Sequence, residues 1–220
     1  MDIAKILACT DHAMLKPQTN KNDIINLCIE AMEYKTASVC VPPSSVQLAK
    51  NIGQGKLCVG TVIGFPFGYS STKSKLFEAQ EALENGADEL DMVINIGVLK
   101  NANYLAVEHE IKQIKAVCKG QILKVIIEAC LLTDDEKVAM CKVINNSGAE
   151  YLKTSTGFAG AGANKEDIPL FKSYLDKNVK IKASGGIRSL ADAWHFLELG
   201  CARLGSSAMV SLAKSAGYIP

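Results

Sequence analysis

Three lysines, Lys124, Lys153 and Lys182, interrupt runs of otherwise apolar, strand-forming residues, and each follows the last by 29 residues. They stand in Leu123-Lys124-Val125-Ile126-Ile127-Glu128, Tyr151-Leu152-Lys153-Thr154-Ser155-Thr156-Gly157 and Val179-Lys180-Ile181-Lys182-Ala183-Ser184-Gly185-Gly186. Desolvating an ammonium group costs several kcal/mol unless it is paired or put to chemical use. A spacing of this size matches one strand–helix repeat, so equivalent side chains of successive units can converge inside a parallel barrel. Two close amines depress each other's pKa, which is how a lysine becomes a nucleophile. In the plainer alternative each lysine caps a strand, snorkels to solvent or pairs with a carboxylate such as Asp91 or Glu128. Three lysines at matching places favour a shared site, with Asp91 as proton relay or as the partner that keeps one lysine charged.

A second set of residues is suited to an anion. Thr154-Ser155-Thr156-Gly157, Ser184-Gly185-Gly186 and Gly205-Ser206-Ser207 each follow a strand and precede a helix. Such loops aim backbone N–H groups and hydroxyls at phosphate, and barrels often bind phosphate after their seventh and eighth strands. Metal chemistry finds no support in the pattern. His12, His109 and His195 lie far apart with no ligand spacing, and no Cys-x-x-Cys occurs. Neither a Gly-x-Ser-x-Gly elbow nor a Walker loop is present, which disfavours serine hydrolase and P-loop chemistry. Trp194 and Phe196 read as helix packing residues.

The elements that must position these groups alternate along the whole chain. Strand-like runs fall at residues 38–41, 58–65, 89–95, 122–128, 151–154, 179–183 and 203–205, with a weaker one across 7–15 that carries Asp11 and His12. Between them lie stretches with apolar spacing of three and four, such as Ile24, Leu27, Cys28 and Ala31. Thr133-Asp134-Asp135-Glu136 is a capping-box pattern whose helix stops near Gly148, and Ser189 opens another that ends at Gly200. Strand alternation places Asp91, Val93 and Asn95 on one face of their strand and Lys124, Ile126 and Glu128 on one face of theirs, and the polar residues share the face that would point into the barrel. Eight such units predict an α/β fold, a single (β/α)8 TIM barrel over residues 1–220, with an open doubly wound sheet as the competing architecture.

Composition narrows the function classes. A net charge of +1 gives no reason to expect nucleic acid or an anionic membrane. The apolar runs are too short and glycine-rich to span a bilayer. The first residues lack a secretory pattern, and eight scattered cysteines suit reduced thiols, so a cytoplasmic protein is expected.

With these residues in view, the chain resembles the deoxyribose-phosphate aldolase family almost end to end. The most specific segment is Tyr151-Leu152-Lys153-Thr154-Ser155-Thr156-Gly157-Phe158; the resemblance implies that its lysine forms a Schiff base. Lys182-Ala183-Ser184-Gly185-Gly186-Ile187-Arg188 is similar to the segment with the second catalytic lysine, and Glu89-Leu90-Asp91-Met92-Val93 to that with the catalytic aspartate. Val59-Gly60-Thr61-Val62-Ile63-Gly64-Phe65-Pro66, Asp11-His12 with Leu15-Lys16-Pro17, and Arg203-Leu204-Gly205-Ser206-Ser207 extend the likeness. Two positions depart from it: Ala13 replaces a common threonine, and Pro42 follows Cys40-Val41 where asparagine is usual.

The resemblance implies metal-independent, cofactor-free cleavage of 2-deoxy-D-ribose 5-phosphate into acetaldehyde and D-glyceraldehyde 3-phosphate. Lys153, Lys182 and Asp91 are then catalytic. Asp11, Cys40, Thr156, Gly157, Gly185, Gly186, Gly205, Ser206 and Ser207 are expected to bind substrate, in a homo-oligomer, dimer or tetramer. Two rival functions are another lysine-dependent barrel enzyme, such as a transaldolase, and a non-catalytic phosphosugar-binding protein.

Overall fold

Short β-branched runs alternate with helices that carry their own start and stop signals, and every crossover brings the chain back beside the strand it left. In the computed structural model, which describes residues 1–220, eight parallel strands close into a barrel in sequence order. They are β1 (Thr10–Ala13), β2 (Ser38–Val41), β3 (Val59–Ile63), β4 (Glu89–Val93), β5 (Ile122–Ile126), β6 (Tyr151–Lys153), β7 (Lys180–Ser184) and β8 (Arg203–Ser206). The helices are α1 (Ile3–Ala8), α2 (Lys21–Glu33), α3 (Val46–Gly53), α4 (Thr72–Glu84), α5 (Ile96–Lys100), α6 (Tyr104–Val117), α7 (Asp134–Ser147), α8 (Asp167–Tyr174), α9 (Leu190–Glu198) and α10 (Met209–Ser215). The open sheet is thereby excluded, because β1 pairs with both β2 and β8.

Alternation along the strands divides the molecule into two interiors. Leu90, Met92, Leu123, Val125, Leu152, Ile181 and Ala183 join the apolar layer between barrel and helices. The residues between them, including Asp91, Lys124, Lys153 and Lys182, are equally buried but face the barrel axis. Register then sets neighbours: Asp91 lies beside Lys124, and Lys153 beside Lys182.

Several helix signals are met in detail. Thr133 and Glu136 form both halves of the capping box on α7, which ends at Gly148 with φ of 81°. The Ser189 side chain accepts from the Asp192 N–H at the start of α9.

The N-terminal segment differs from expectation. Residues 7–15 are not one strand: α1 occupies Ile3–Ala8, capped by Asp2, and only Thr10–Ala13 form β1. Ile6 and Leu7 are buried, so the apolar run at the start serves a helix rather than a strand. β3, β4, β5 and β6 also stop earlier than their expected runs. Asn95 caps α5 by accepting from the Val98 N–H, so it does not share the strand face of Asp91. Glu128 adopts φ of 49°, which turns the chain out of β5.

Candidate active site

The barrel axis carries a chain of ion pairs. One oxygen of Asp91 on β4 accepts from Lys153 Nζ at 2.8 Å and from Lys182 Nζ at 2.7 Å; the other accepts from Lys124 Nζ at 2.8 Å. Lys124 also donates to Glu89 at 2.6 Å, and Lys182 to Asp11. Arg203 closes the network from below, donating to Asp11 and, at 2.8 Å, to Glu89. Asp11 and Asp91 are fully buried and Lys153 is only 3% exposed. Removing one partner of such a buried pair leaves an uncompensated charge, at a cost of about 3–5 kcal/mol.

The network holds four basic side chains against three carboxylates, and they are not equivalent. Burial opposes the charged form of Lys182, but Asp11 and Asp91 outweigh it and hold its pKa above the ordinary lysine range. Lys124 is held well above that range because Asp91, Asp11 and Glu89 overcome the same burial. The Asp91 carboxyl lies well below its ordinary value, since Lys124, Lys153 and Lys182 prevail over desolvation. Lys153 alone among the four moves down. Burial is the main cause, the Lys182 charge adds to it, and Asp91 only partly offsets them.

Above this floor opens a cavity of about 610 Å³. Lys153 and Lys182 reach its base and Cys40 stands in its wall. Burial pushes the Cys40 thiol up to about 11, so it stays protonated at neutral pH. The three glycine-rich loops form the far side, with Thr156 and Gly157 after β6, Gly185 and Gly186 after β7, and Gly205, Ser206 and Ser207 ending β8. Lys16 and Arg188 stand on the rim, whereas no Asp or Glu lines the cavity. Three cations, Lys16, Lys182 and Arg188, and no carboxylate on its walls suit an anionic ligand. Asp91 and Asp11 lie beneath the cavity and touch the lysines instead of lining it.

Local sequence explains how the loops come so close. Gly185 has φ of 80° and sits against Gly157 and Gly162, so an added Cβ would find their Cα atoms at 3.1 and 3.0 Å. A Cβ on Gly205 would meet Ser184 Cβ at 2.7 Å and Lys182 Cε at 3.1 Å. The Ser206 hydroxyl ties two loops together, donating to the Ile187 carbonyl and accepting from the Ala208 N–H. Glu128 accepts from both the backbone N–H and the hydroxyl of Thr156.

Of the carboxylates named as possible partners for the lysines, Asp91 takes all three and Glu128 takes none. Sequence reasoning missed Glu89 and Arg203 as members of the network. Both had a signal: each stands two residues before a recognised site position, Asp91 and Gly205, and therefore on the same strand face. His12 points away from the cavity, its Nε2 3.2 Å from Glu30, and His109 and His195 are exposed on helices.

Known proteins resemble this chain over nearly its whole length. A family model described as DeoC/LacD family aldolase matches residues 5–207. A deoxyribose-phosphate aldolase of Clostridioides difficile (strain 630) is 50% identical over 210 residues, 96% of this chain and 96% of the relative. One from Streptococcus pyogenes serotype M5 (strain Manfredo) is 48% identical over 220 residues, covering 100% and 99%. Among solved structures, a putative deoxyribose-phosphate aldolase from Coccidioides immitis superposes with a TM-score of 0.94 at 40% identity, covering 99% of this chain and 87% of that one. A deoxyribose phosphate aldolase from Aeropyrum pernix, described as a unique tetramer, gives 0.91 at 30% identity, covering 98% and 92%.

Proposed function

The chain belongs to the DeoC/LacD family of aldolases, and we infer from this that it reversibly cleaves 2-deoxy-D-ribose 5-phosphate into D-glyceraldehyde 3-phosphate and acetaldehyde. One observation carries the mechanism: of the four basic groups on the barrel axis, the one pushed toward its neutral form also opens onto the cavity. In the proposed sequence the Lys153 amine attacks C1 of the open-chain sugar, and loss of water leaves a protonated imine. A base takes the proton of the C3 hydroxyl; the C2–C3 electron pair flows into the imine as D-glyceraldehyde 3-phosphate departs. The enamine left behind is reprotonated at C2, and water releases acetaldehyde from Lys153.

Lys182 is proposed to stay charged beside Lys153, discouraging protonation of the free amine, and Asp91 to relay protons through water between the two lysines. The 2.8 and 2.7 Å contacts of one Asp91 oxygen support that role. The iminium is itself the electron sink, so neither metal nor cofactor is assigned a part. Gly186, Gly205, Ser206 and Ser207 are assigned to the phosphate, which suits an acid-free wall. Position 158 supplies no lysine to the phosphate because Phe158 occupies it, and Asp11 acts through Lys182 from below.

The protein is further proposed to work in the cytoplasm as a homo-oligomer, dimer or tetramer. Eight free cysteines and the absence of any helix long and apolar enough to cross a membrane accord with the first part. Exposed Phe67 and Tyr69 offer apolar surface for the second.

The test combines turnover with covalent trapping. The purified protein should cleave deoxyribose 5-phosphate after exhaustive chelation, and borohydride with acetaldehyde should fix an ethyl group on Lys153 alone. Lys153→Ala should lose both. An adduct mapped to Lys182 or Lys124, or activity that zinc restores after chelation, refutes the assignment.

A further inference from the structure

The aldolase mechanism uses Asp91, Lys153 and Lys182, but the ion network continues below them through groups that never reach the cavity. Arg203 enters at the start of β8, in register with Lys182, with 15% of its side chain exposed. It bridges Asp11 on β1 and Glu89 on β4, and Glu89 in turn holds Lys124 on β5 at 2.6 Å. Each of these partners also competes for the groups above. Asp11 binds Lys182, and Lys124 binds the Asp91 oxygen that Lys153 does not use. A change of charge in the lower ring therefore redistributes the upper contacts.

We propose that Arg203 and Glu89 are positioning residues for the amine chemistry: by holding Asp11 and Lys124 they decide how much of the Asp91 carboxylate is left to Lys153. This rests on the aldolase mechanism and extends it to two residues that do not touch substrate. Without Glu89, Lys124 draws harder on Asp91, and Lys153 is left less paired and more readily neutral. Without Arg203, Asp11 draws Lys182 away, Asp91 turns to Lys153, and the nucleophile holds its proton. The titratable groups facing Lys153 and the ring are Asp11 from β1, Cys40 from β2, Cys58 just before β3, Glu89 and Asp91 from β4, Lys124 from β5, Tyr151 from β6 and Lys180 and Lys182 from β7. β3 contributes only Gly60 and Val62 at the same level. Burial pushes the Cys58 thiol up, so it stays neutral over the range tested, and exposed Lys180 is unchanged in every variant.

The two removals thus have opposite signs, which mere damage to the barrel cannot produce. The experiment measures, as a function of pH, the initial rate at which acetaldehyde is trapped by borohydride on Lys153, located by mass mapping. For Glu89→Gln the midpoint should fall, and for Arg203→Met it should rise, each by about one pH unit, the effect of a unit charge about 10 Å away at an effective dielectric of about 20. Arg203→Lys should return the midpoint to that of the wild type, and the double variant Glu89→Gln/Arg203→Met should lie between the single ones. Midpoints that stay fixed, or move in one direction for both variants, overturn the proposal while leaving the aldolase mechanism intact. Should Arg203→Met fail to fold, Glu89→Gln decides alone, and an unmoved or raised midpoint overturns it. A wild-type protein that forms no adduct on Lys153 overturns the mechanism and this inference together.

Discussion

Lys153 and Lys182 are chemically identical and 29 residues apart in the chain, yet the barrel gives them opposite tendencies. The difference lies in their partners. Lys153 has one carboxylate contact, whereas Lys182 has two, and burial acts on both. Lys182→Leu should therefore do more than remove a proton donor. It takes away the neighbouring cation and frees Asp91 to pair with Lys153, so the nucleophile's pKa rises. At pH 7 the variant should lose about a hundredfold or more in kcat, the scale of a removed acid–base group. Because each pH unit multiplies the neutral fraction about tenfold while the amine is mostly charged, borohydride trapping and residual turnover should recover as pH increases. A pH profile of both quantities checks this, and a variant whose loss is the same at every pH would contradict the electrostatic role.

At the scale of elements, the ends of β6, β7 and β8 matter more than their middles. Gly205→Ala introduces one methyl group into a space bounded by Ser184 Cβ at 2.7 Å and Lys182 Cε at 3.1 Å. Either β8 shifts or the lysine does, and kcat should fall roughly tenfold or more, since small misplacements of catalytic groups are costly. Exposed Ser207 tests the phosphate assignment differently. Ser207→Asp should raise KM for deoxyribose 5-phosphate by at least tenfold through like-charge repulsion and change KM for deoxyribose much less. Equal effects on both sugars would place the phosphate elsewhere.

The strands were legible because alternation with buried polar residues has few explanations: Asp91, Lys124, Lys153 and Lys182 all share the inner face. Helix starts such as Thr133 to Glu136 were equally plain. Other features were not. The expected strand across 7–15 was weakened by Asp11 and His12, and it began too early because Leu7 is apolar but belongs to α1. Asn95 and Glu128 directly follow apolar Ile94 and Ile127, and only the turn of the backbone removes them from β4 and β5. The binding of Glu128 to Thr156 links loops 28 residues apart, a contact that no local pattern encodes.

For the whole molecule, a charged axis is an unusual core, and its cost varies with pH. Asp11 and Asp91 are depressed in the folded state, so their contribution is complete above the unfolded carboxylate pKa of about 3.9 and is lost as pH falls below it toward the folded values. Lys124 and Lys182 are raised, so theirs is complete below about pH 10 and disappears only as pH climbs through their folded values. Lys153 runs against both trends. Its folded pKa is lowered, so between that value and the unfolded lysine pKa of about 10.4 the unfolded chain binds more protons than the fold, and stability rises with pH. Below that window the fold must accommodate a charge that its surroundings disfavour. Lys153→Met keeps a long unbranched side chain and removes this penalty, and it strands no charge because Asp91 stays paired with Lys124 and Lys182. It should therefore be inactive yet more stable than the wild type at pH 6, with a Tm higher by about 2–4 °C for each kcal/mol recovered. Calorimetry at pH 6 and pH 9 checks the sign: the advantage should shrink at the higher pH, where the folded wild-type amine is more nearly neutral and the unfolded chain gains less from keeping its proton. A Tm gain independent of pH would mean that packing, and not the stripped proton, separates the two proteins.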